Sequence, residues 1–283
     1  MSNLVNYLFQ TKALKISPEN KPFWYTSGKI SPNYINTHFL YGSEDLANNL
    51  LAFIDTEKNN TLDFPKKLLE KCIENYETTA IYKNVIDSML AHVRKNISLS
   101  EISFISGGER RDWFFSLLIA YFLKLPHITI NKDLTCVTTD FDGTNSRKTE
   151  DLNSSKVLHV ADLITVASSY ERAWIPAIKT HNGEITCSLS VVDRDEGGKE
   201  VLEGYNVKTY SLIVLNEELF NLAKELELIS EKQYNMIIDY NKDPDGSMKK
   251  FMKEHPEFLE NALNSDPKTV ERAKLCIEKG FYN

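Results

Sequence analysis

The sequence predicts an α/β fold in which a parallel, twisted sheet carries helices on both faces. Short runs rich in β-branched residues alternate with stretches whose apolar residues recur at helical spacing. This alternation is typical of parallel strands joined by right-handed crossover helices. At 283 residues with 42% hydrophobic content, the chain is long enough to bury a full core. The predicted strands are 102–106, 127–131, 157–161, 185–192 and 207–213.

Helices are predicted between these strands and on either side of them. Residues 64–96 lack glycine and carry apolar residues at helical spacing, which predicts one long helix or two short ones. From residue 216 onward the chain is polar and helical, with prolines that break or cap its helices. The predicted crossover helices are 112–124, 169–181 and 197–204, and the helix-breaking prolines are Pro244, Pro256 and Pro267.

These elements predict three segments along the chain. Residues 1–100 form an N-terminal hood segment with helices, residues 101–215 an α/β core, and residues 216–283 a C-terminal helical appendage. Ligands of open parallel sheets bind at the carboxyl ends of the strands, so we expect the site there.

Composition excludes several classes of function. The net charge is −7 and no long basic run is present, which argues against binding to nucleic acid. No apolar run is long enough to cross a membrane, and the N-terminus lacks a signal-peptide core. The four cysteines lie far apart, so neither a metal site nor a disulfide framework is predicted. We therefore expect a cytoplasmic protein whose partners are small molecules.

A strand, an elbow and a helix are predicted in succession at residues 157–174. The elbow carries Asp162, Thr165, Ser168 and Ser169. Unpaired N–H groups at the start of a helix and nearby hydroxyls favour a phosphate, while a carboxylate accepts hydrogen bonds from sugar hydroxyls. The alternative is that Ser169 only caps the helix.

The stretch "VLHVADLITVASS" resembles the ribose-5-phosphate loop of the type I phosphoribosyltransferases, specifically of the orotate phosphoribosyltransferase branch. Three other segments resemble this branch in the same order. They contain "SGKISPNYIN" within residues 8–42, "ISFISGGERRD" within 102–133 and "VVDRDEGGKEVLEG" within 191–213. The resemblance covers roughly residues 1–215 and implies a type I phosphoribosyltransferase-like fold.

The resemblance also implies roles for individual residues. Asp162 would hold the ribose hydroxyls, and Lys132 would open the mobile catalytic loop, which makes residues 134–153 a flexible hood. The 5′-phosphate ligands would be Thr165, Ser168 and Ser169. The pyrophosphate loop would contain Gly107 and Gly108, with Arg110 or Arg111 behind them. The wall of the base pocket would contain Ser31, Tyr34 and Asn36.

The match departs from the family at several positions. Ala161 stands where the family has a second acid, which weakens the hold on the ribose. Ala167 replaces the glycine of the phosphate loop, so either the loop is reshaped or a left-handed alanine costs about 1 kcal/mol. Glu171 stands where the branch has an arginine facing the orotate carboxylate, and Thr26 where it has a lysine. Glu171 therefore favours a base with amino donors, unless Arg172 or Lys29 supplies a cation.

Two functions remain open at this point. The resemblance implies an enzyme of nucleotide metabolism, related to pyrimidine biosynthesis, that transfers a 5-phosphoribosyl group from phosphoribosyl pyrophosphate to a base. Mg²⁺ would bind mainly through the phosphoribosyl pyrophosphate, and the assembly would be a homodimer. The alternative is a non-catalytic sensor of phosphoribosyl pyrophosphate or a nucleotide, which the alanines at 161 and 167 favour. A structural protein built around the C-terminal helices is a third, weaker alternative.

Overall fold

The computed structural model describes residues 2–281, which form two compact units. One unit is Thr37–Asn216, and the other combines the chain before it with the chain after it. The segments 1–100, 101–215 and 216–283 divide the chain by sequence pattern, and as domains they stay a prediction. Tyr282 and Asn283, at the end of the third segment, lie outside the described residues.

The chain before Thr37 contains one helix and four short strands. Helix α1 packs Leu4, Val5 and Leu8 inward. Strand β1 pairs with β4 and β2 pairs with β3, both antiparallel. Their bounds are α1 Ser2–Gln10, β1 Leu14–Ile16, β2 Phe23–Trp24, β3 Ile30–Ser31 and β4 Asn33–Ile35.

The unit Thr37–Asn216 begins with a 3₁₀ turn and three helices. The helices are α2 Glu44–Glu57, α3 Phe64–Thr78 and α4 Ala80–Asn96. Ser43 caps α2, since its hydroxyl accepts a hydrogen bond from the N–H of Leu46 at 3.1 Å. The predicted helical stretch 64–96 is therefore two helices, because Thr79 adopts an extended conformation between α3 and α4.

A seven-stranded sheet follows, and it confirms the predicted fold class. The strand order is β11-β10-β9-β5-β6-β7-β8. The first five strands are parallel to one another, and β7 pairs antiparallel with β6 on one side and with β8 on the other. The strands are β5 Phe104–Gly108, β6 His127–Ile130, β7 Cys136–Thr139, β8 Arg147–Lys148, β9 Lys156–Ile164, β10 Glu184–Asp193 and β11 Lys208–Val214. The crossover helices are α5 Trp113–Leu123, α6 Ile175–Thr180 after one π-helical turn at Tyr170–Trp174, and α7 Gly198–Gly204.

The prediction that residues 134–153 form a flexible hood is wrong for their first part. Strand β7 pairs with β6 along four residues and is buried throughout. The hydroxyls of Thr138 and Thr149 lie 2.9 Å apart, which ties the returning chain to β7. The physical reason is that β6 would otherwise expose unpaired backbone groups at the sheet edge, and the β-branched residues of β7 satisfy them.

Between residues 216 and 281 the chain forms five helices, and a helical segment is what the sequence predicts there. Three of them start at the expected prolines, because a proline has no N–H to lose at the first position of a helix. The carboxylate of Asp266 accepts the N–H groups of Lys268 and Thr269 at 3.0 and 3.2 Å and caps the last helix. The helices are α8 Glu217–Glu225, α9 Glu231–Lys242, α10 Pro244–Glu254, α11 Pro256–Leu263 and α12 Pro267–Glu278.

The C-terminal helices share a core with the N-terminal strands. Trp24 and Ile30 pack with Met248, Met252 and Cys276 in one buried cluster. Among residues 2–281 the model contains no helix with the length and apolar character needed to span a membrane.

Candidate functional site

A cleft of about 350 Å³ opens at the carboxyl ends of β5 and β9. These strands are neighbours in the sheet, and the chain winds outward from them in opposite directions, to β6 on one side and to β10 on the other. Such a switch point is where ligands of open α/β sheets bind. One wall is formed by residues 109–112 and the other by 161–170, with Trp174 behind them.

The elbow after β9 forms the wall that carries the hydroxyls. Ala167 has φ +54°, so the chain keeps a left-handed residue there instead of reshaping the loop. The alanine accepts a cost of about 1 kcal/mol relative to glycine. The carbonyl of Ala167 accepts the N–H of Tyr170 at 2.9 Å, which closes the turn.

The hydroxyls of this elbow face the cleft, as the lining residues Thr165, Ser168 and Ser169. Ser169 has helical backbone angles and its side chain caps no N–H group. This removes the alternative in which Ser169 is only an N-cap. The hydroxyl of Ser168 lies 3.3 Å from a guanidinium nitrogen of Arg172.

The opposite wall, residues 109–112, carries charges of both signs. Glu109 is ion-paired with Lys58 at 2.6 Å. Arg110 is ion-paired with Asp55. Arg111 is exposed, and among residues 2–281 it has no ion-pair partner. A ligand would therefore meet the ion-paired guanidinium of Arg110 and the unpaired guanidinium of Arg111.

Asp162 belongs to the wall 161–170 and is buried, with 9% of its surface exposed. Burial, and after it the charge of Asp112, raise the pKa of its carboxyl from 3.8 to about 8, while the charge of Arg111 opposes the shift. A carboxyl in this state both donates and accepts hydrogen bonds near neutral pH. That chemistry suits the hydroxyls of a sugar.

A buried polar network lies beneath the cleft. The ring of His159 is fully buried, and its Nδ1 lies 2.9 Å from the hydroxyl of Ser106. Its Nε2 lies 3.5 Å from Oδ2 of Asp112. The rings of Tyr170 and Trp174 pack against it, with centroids at 4.9 and 6.0 Å. These contacts fix the ends of β5 and β9 from below.

Known proteins with related sequences are orotate phosphoribosyltransferases. The chain is 34% identical over 98 residues to the orotate phosphoribosyltransferase of Sulfurisphaera tokodaii and 33% identical over 98 residues to that of Saccharolobus solfataricus. These matches cover 35% of this chain and 49% of each relative, so the chain spans about half the length of the curated relatives it matches. No family model matches the chain.

Over these 98 residues the chain is therefore similar in sequence to orotate phosphoribosyltransferases. Solved structures agree on the fold. The orotate phosphoribosyltransferase of Francisella tularensis superposes with a TM-score of 0.55 at 15% identity, covering 85% of this chain and 98% of that one. That of Aeropyrum pernix gives 0.51 at 18% identity, covering 79% and 99%. The UMP synthase of Leishmania donovani gives 0.56 at 17%, covering 84% of this chain and 41% of that one.

The cleft brings together six residues that the sequence assigns to the phosphoribosyl donor. These are Arg110, Arg111, Asp162, Thr165, Ser168 and Ser169. They come from two different loops separated by about fifty positions, and only the adjacency of β5 and β9 makes them neighbours.

Gly107 and Gly108, assigned to the pyrophosphate loop, are buried below the cleft and do not line it. A β-carbon at Gly107 would collide with the hydroxyl of Ser116, and one at Gly108 with the indole of Trp174. Internal packing therefore requires glycine at both positions, whatever the ligand.

Lys132 and Glu171 lie outside the lining of the cleft. Both are exposed. The backbone N–H of Lys132 donates to Glu109 at 2.8 Å, which places Lys132 beside the wall formed by residues 109–112. Glu171 accepts a hydrogen bond from the hydroxyl of Tyr205 at 3.3 Å. Their assigned roles stay predictions.

The three residues assigned to the base pocket belong to the other compact unit. Ser31 is buried, and its hydroxyl accepts the N–H of Asn33 at 3.3 Å. Tyr34 is half-buried, with its ring centroid 6.0 Å from that of Tyr25. Asn36 donates its N–H to the carbonyl of Ala13 at 2.7 Å. Their roles also stay predictions.

Sequence reasoning missed Asp112. It comes directly before the apolar helix α5, where an aspartate is most simply explained as a helix cap. In the structure its side chain makes no cap bond to α5. In the structure it accepts the N–H of Gly108, four residues earlier at the end of β5, and this contact has no signature in the sequence.

Proposed function

We propose that this protein is a phosphoribosyltransferase that joins the 5-phosphoribosyl group of phosphoribosyl pyrophosphate to a ring nitrogen of a base. The bond between C1 of the ribose and the pyrophosphate oxygen breaks, and its electron pair leaves with pyrophosphate. The nitrogen lone pair forms the new bond to C1, and the nitrogen loses its proton to solvent. The observation that carries the proposal is that two segments line one cleft. They are the hydroxyl elbow, residues 165–169, and the guanidinium wall, residues 109–112.

The cleft residues divide the donor between them. Thr165, Ser168 and Ser169 hold the 5′-phosphate through their hydroxyls and the turn's N–H groups. Asp162 binds the ribose hydroxyls. Arg111 meets the pyrophosphate, where its charge stabilises the negative charge that develops on the leaving group. The reaction needs little acid–base chemistry, so positioning and electrostatics supply most of the rate.

Magnesium accompanies the donor in this proposal. Among residues 2–281 no cluster of three or more His, Cys, Asp or Glu side chains is arranged to hold a metal ion. Mg²⁺ would be carried mainly by the oxygens of phosphoribosyl pyrophosphate, which it prefers as ligands.

The acceptor is proposed to be a base with amino donors. Glu171 is exposed, and an orotate carboxylate close to it would be repelled. An exocyclic amino group would instead donate a hydrogen bond to the Glu171 carboxylate. We also propose a homodimer, which light scattering combined with gel filtration tests.

The sensor alternative has one specific observation in its favour. Strand β9 supplies Asp162 without a neighbouring acid, because Ala161 precedes it. A protein that binds the donor without turnover needs fewer groups in the cleft than an enzyme.

The test is pyrophosphate release. The wild-type protein is mixed with phosphoribosyl pyrophosphate, Mg²⁺ and a panel of bases that includes orotate, uracil, cytosine, adenine and guanine, and released pyrophosphate is followed by a coupled assay. We expect release with an amino-bearing base, and loss of release in Asp162→Asn. Asp45→Asn, an exposed carboxylate at the start of α2, is the matched control and should keep full activity.

Three outcomes separate the alternatives. Release supports the enzyme. A thermal shift with phosphoribosyl pyrophosphate but no release with any base supports the sensor. Neither release nor a thermal shift contradicts both functions.

A further inference from the structure

One carboxylate joins the two strand ends that form the cleft. The N–H of Gly108, the last residue of β5, donates to Oδ2 of Asp112 at 3.0 Å. The N–H of Asp162, two residues before the end of β9, donates to Oδ1 of Asp112 at 2.9 Å. Asp112 therefore connects the guanidinium wall to the strand that carries the ribose-binding carboxyl.

These hydrogen bonds are buried, which makes them costly to lose. Asp112 is 7% exposed, and both N–H donors belong to buried residues. Hydrogen bonds to an ionised acceptor are stronger than neutral ones, and a buried N–H left without an acceptor is destabilising.

Asp112 also lies beside the position where a second acid is missing. Ala161 lines the cleft next to Asp162, so β9 contributes a single carboxyl. Asp112 lines the same cleft from the start of α5. Burial and, after it, the charge of Asp112 raise the pKa of the Asp162 carboxyl.

We propose that Asp112 is a positioning residue for the phosphoribosyl donor. Asp112 fixes Asp162 against the guanidinium wall and supplies the second carboxylate that is missing at Ala161. The inference rests on the proposed function, because the donor is the ligand that both carboxyls serve. The pair is thus built from β9 and from the start of α5 instead of from two adjacent positions on β9. Two carboxyl groups would then face the two neighbouring hydroxyls of the ribose.

The first experiment measures the KM of phosphoribosyl pyrophosphate and kcat separately, per folded molecule, in wild type and Asp112→Asn. The amide nitrogen of asparagine cannot accept an N–H, so one of the two tethers is lost. We expect the donor KM to rise about tenfold, with the KM of the base changed less than about twofold. A purely structural role would lower the folded fraction and leave the donor KM unchanged.

The second experiment relocates the carboxylate. In Asp112→Asn/Ala161→Asp the second acid returns on β9, and we expect the donor KM to recover to within about threefold of wild type. The matched control is Asp266→Asn, since Asp266 also accepts two backbone N–H groups but lies in the other unit. Its donor KM should equal that of wild type.

Ala161→Asp alone keeps the test decisive if Asp112→Asn does not fold. If Asp112 already supplies the second carboxylate, a third acid adds repulsion and raises the donor KM. If Asp112 does not act on the donor, the same change completes the pair and lowers the donor KM, which overturns the inference. An unchanged donor KM in a folded Asp112→Asn, or a double variant no better than the single one, also overturns it.

Wild type serves as the reference for the proposed function. A wild-type protein that neither binds nor consumes phosphoribosyl pyrophosphate overturns the function and this inference together. An active wild type whose donor KM is insensitive to Asp112 overturns the inference alone.

Discussion

The indole of Trp174 fills the space beside Gly108 that a β-carbon would occupy. Trp174 belongs to the π-helical turn after the hydroxyl elbow, and Gly108 ends β5 below the guanidinium wall. The two walls of the cleft therefore meet through this contact. Their separation depends on a residue with no side chain.

Gly108→Ala tests that contact. We expect a loss of about 2–3 kcal/mol in the free energy of unfolding, because the methyl group forces the buried indole to move. The measurement is urea denaturation followed by circular dichroism. Gly204→Ala is the control, since a β-carbon there meets no atom within 4 Å, and it should not destabilise the protein. Equal free energies of unfolding for the two variants would show that the indole of Trp174 can move aside at little energetic cost.

The pKa of Asp162 predicts a pH dependence of stability. Its folded value of about 8 lies above its ordinary value of 3.8, so the folded state holds a proton that the unfolded state releases between these values. The stabilisation is complete below the unfolded pKa and is lost as the pH rises through the folded pKa. The Tm of wild type relative to Asp162→Asn should therefore fall as the pH rises from about 4 to about 8, and should level off above that range.

Differential scanning calorimetry across this range measures the effect. Asp45→Asn, whose carboxylate is exposed, should follow wild type at every pH. A Tm difference between wild type and Asp162→Asn that does not change with pH would mean that Asp162 is ionised throughout.

The two arginines of the guanidinium wall should contribute unequally to the binding of pyrophosphate. Arg110 is already paired with Asp55, whereas Arg111 is exposed and has no ion-pair partner in the described chain. We expect Arg111→Gln to weaken pyrophosphate binding about tenfold and Arg110→Gln less than about threefold. Asp55→Asn should strengthen binding, because it frees Arg110. Isothermal titration with pyrophosphate measures all three, and a larger effect at Arg110 would reverse the assignment.

The C-terminal helices should stabilise the segment assigned to the base pocket. Phe258 stacks on Trp24 with ring centroids 5.3 Å apart, and Arg272 donates to the carbonyl of Trp24 at 2.9 Å. We expect Phe258→Ala to cost about 2–3 kcal/mol of stability. It should also raise the KM of the base more than that of the donor, since Ser31 lies in the same unit.

Leu263→Ala is the control for this variant, because Leu263 ends the same helix α11 with 36% of its surface exposed. Its stability should stay within about 1 kcal/mol of wild type. Equal losses in the two variants would mean that the stacking on Trp24 contributes little.

The sheet was predictable because its strands carry a local signal. The β-branched runs at 102–106, 127–131, 157–161, 185–192 and 207–213 each overlap an observed strand. The strand β7 escaped prediction because its polar surroundings look like a loop, and only pairing with the edge of β6 makes it a strand. The left-handed Ala167 shows the same limit, since its conformation is imposed by the elbow and not by alanine.

The candidate site was predictable only where a side chain projects into the cleft from its own loop. Thr165, Ser168 and Ser169 follow from the strand-to-elbow pattern alone. Asp112 does not, because its partners are backbone N–H groups, one of them fifty positions away. The sequence shows which residues are present, but the sheet order decides which of them meet.

In the proposed function, the elbow 165–169 and the wall 109–112 bind a ribose phosphate. The most direct measurement is titration of ¹⁵N-labelled protein with phosphoribosyl pyrophosphate and Mg²⁺, followed by amide chemical shifts. The account predicts saturable shifts concentrated at the amides of 109–112 and 165–169. Saturable binding that leaves both of these segments unperturbed would contradict it.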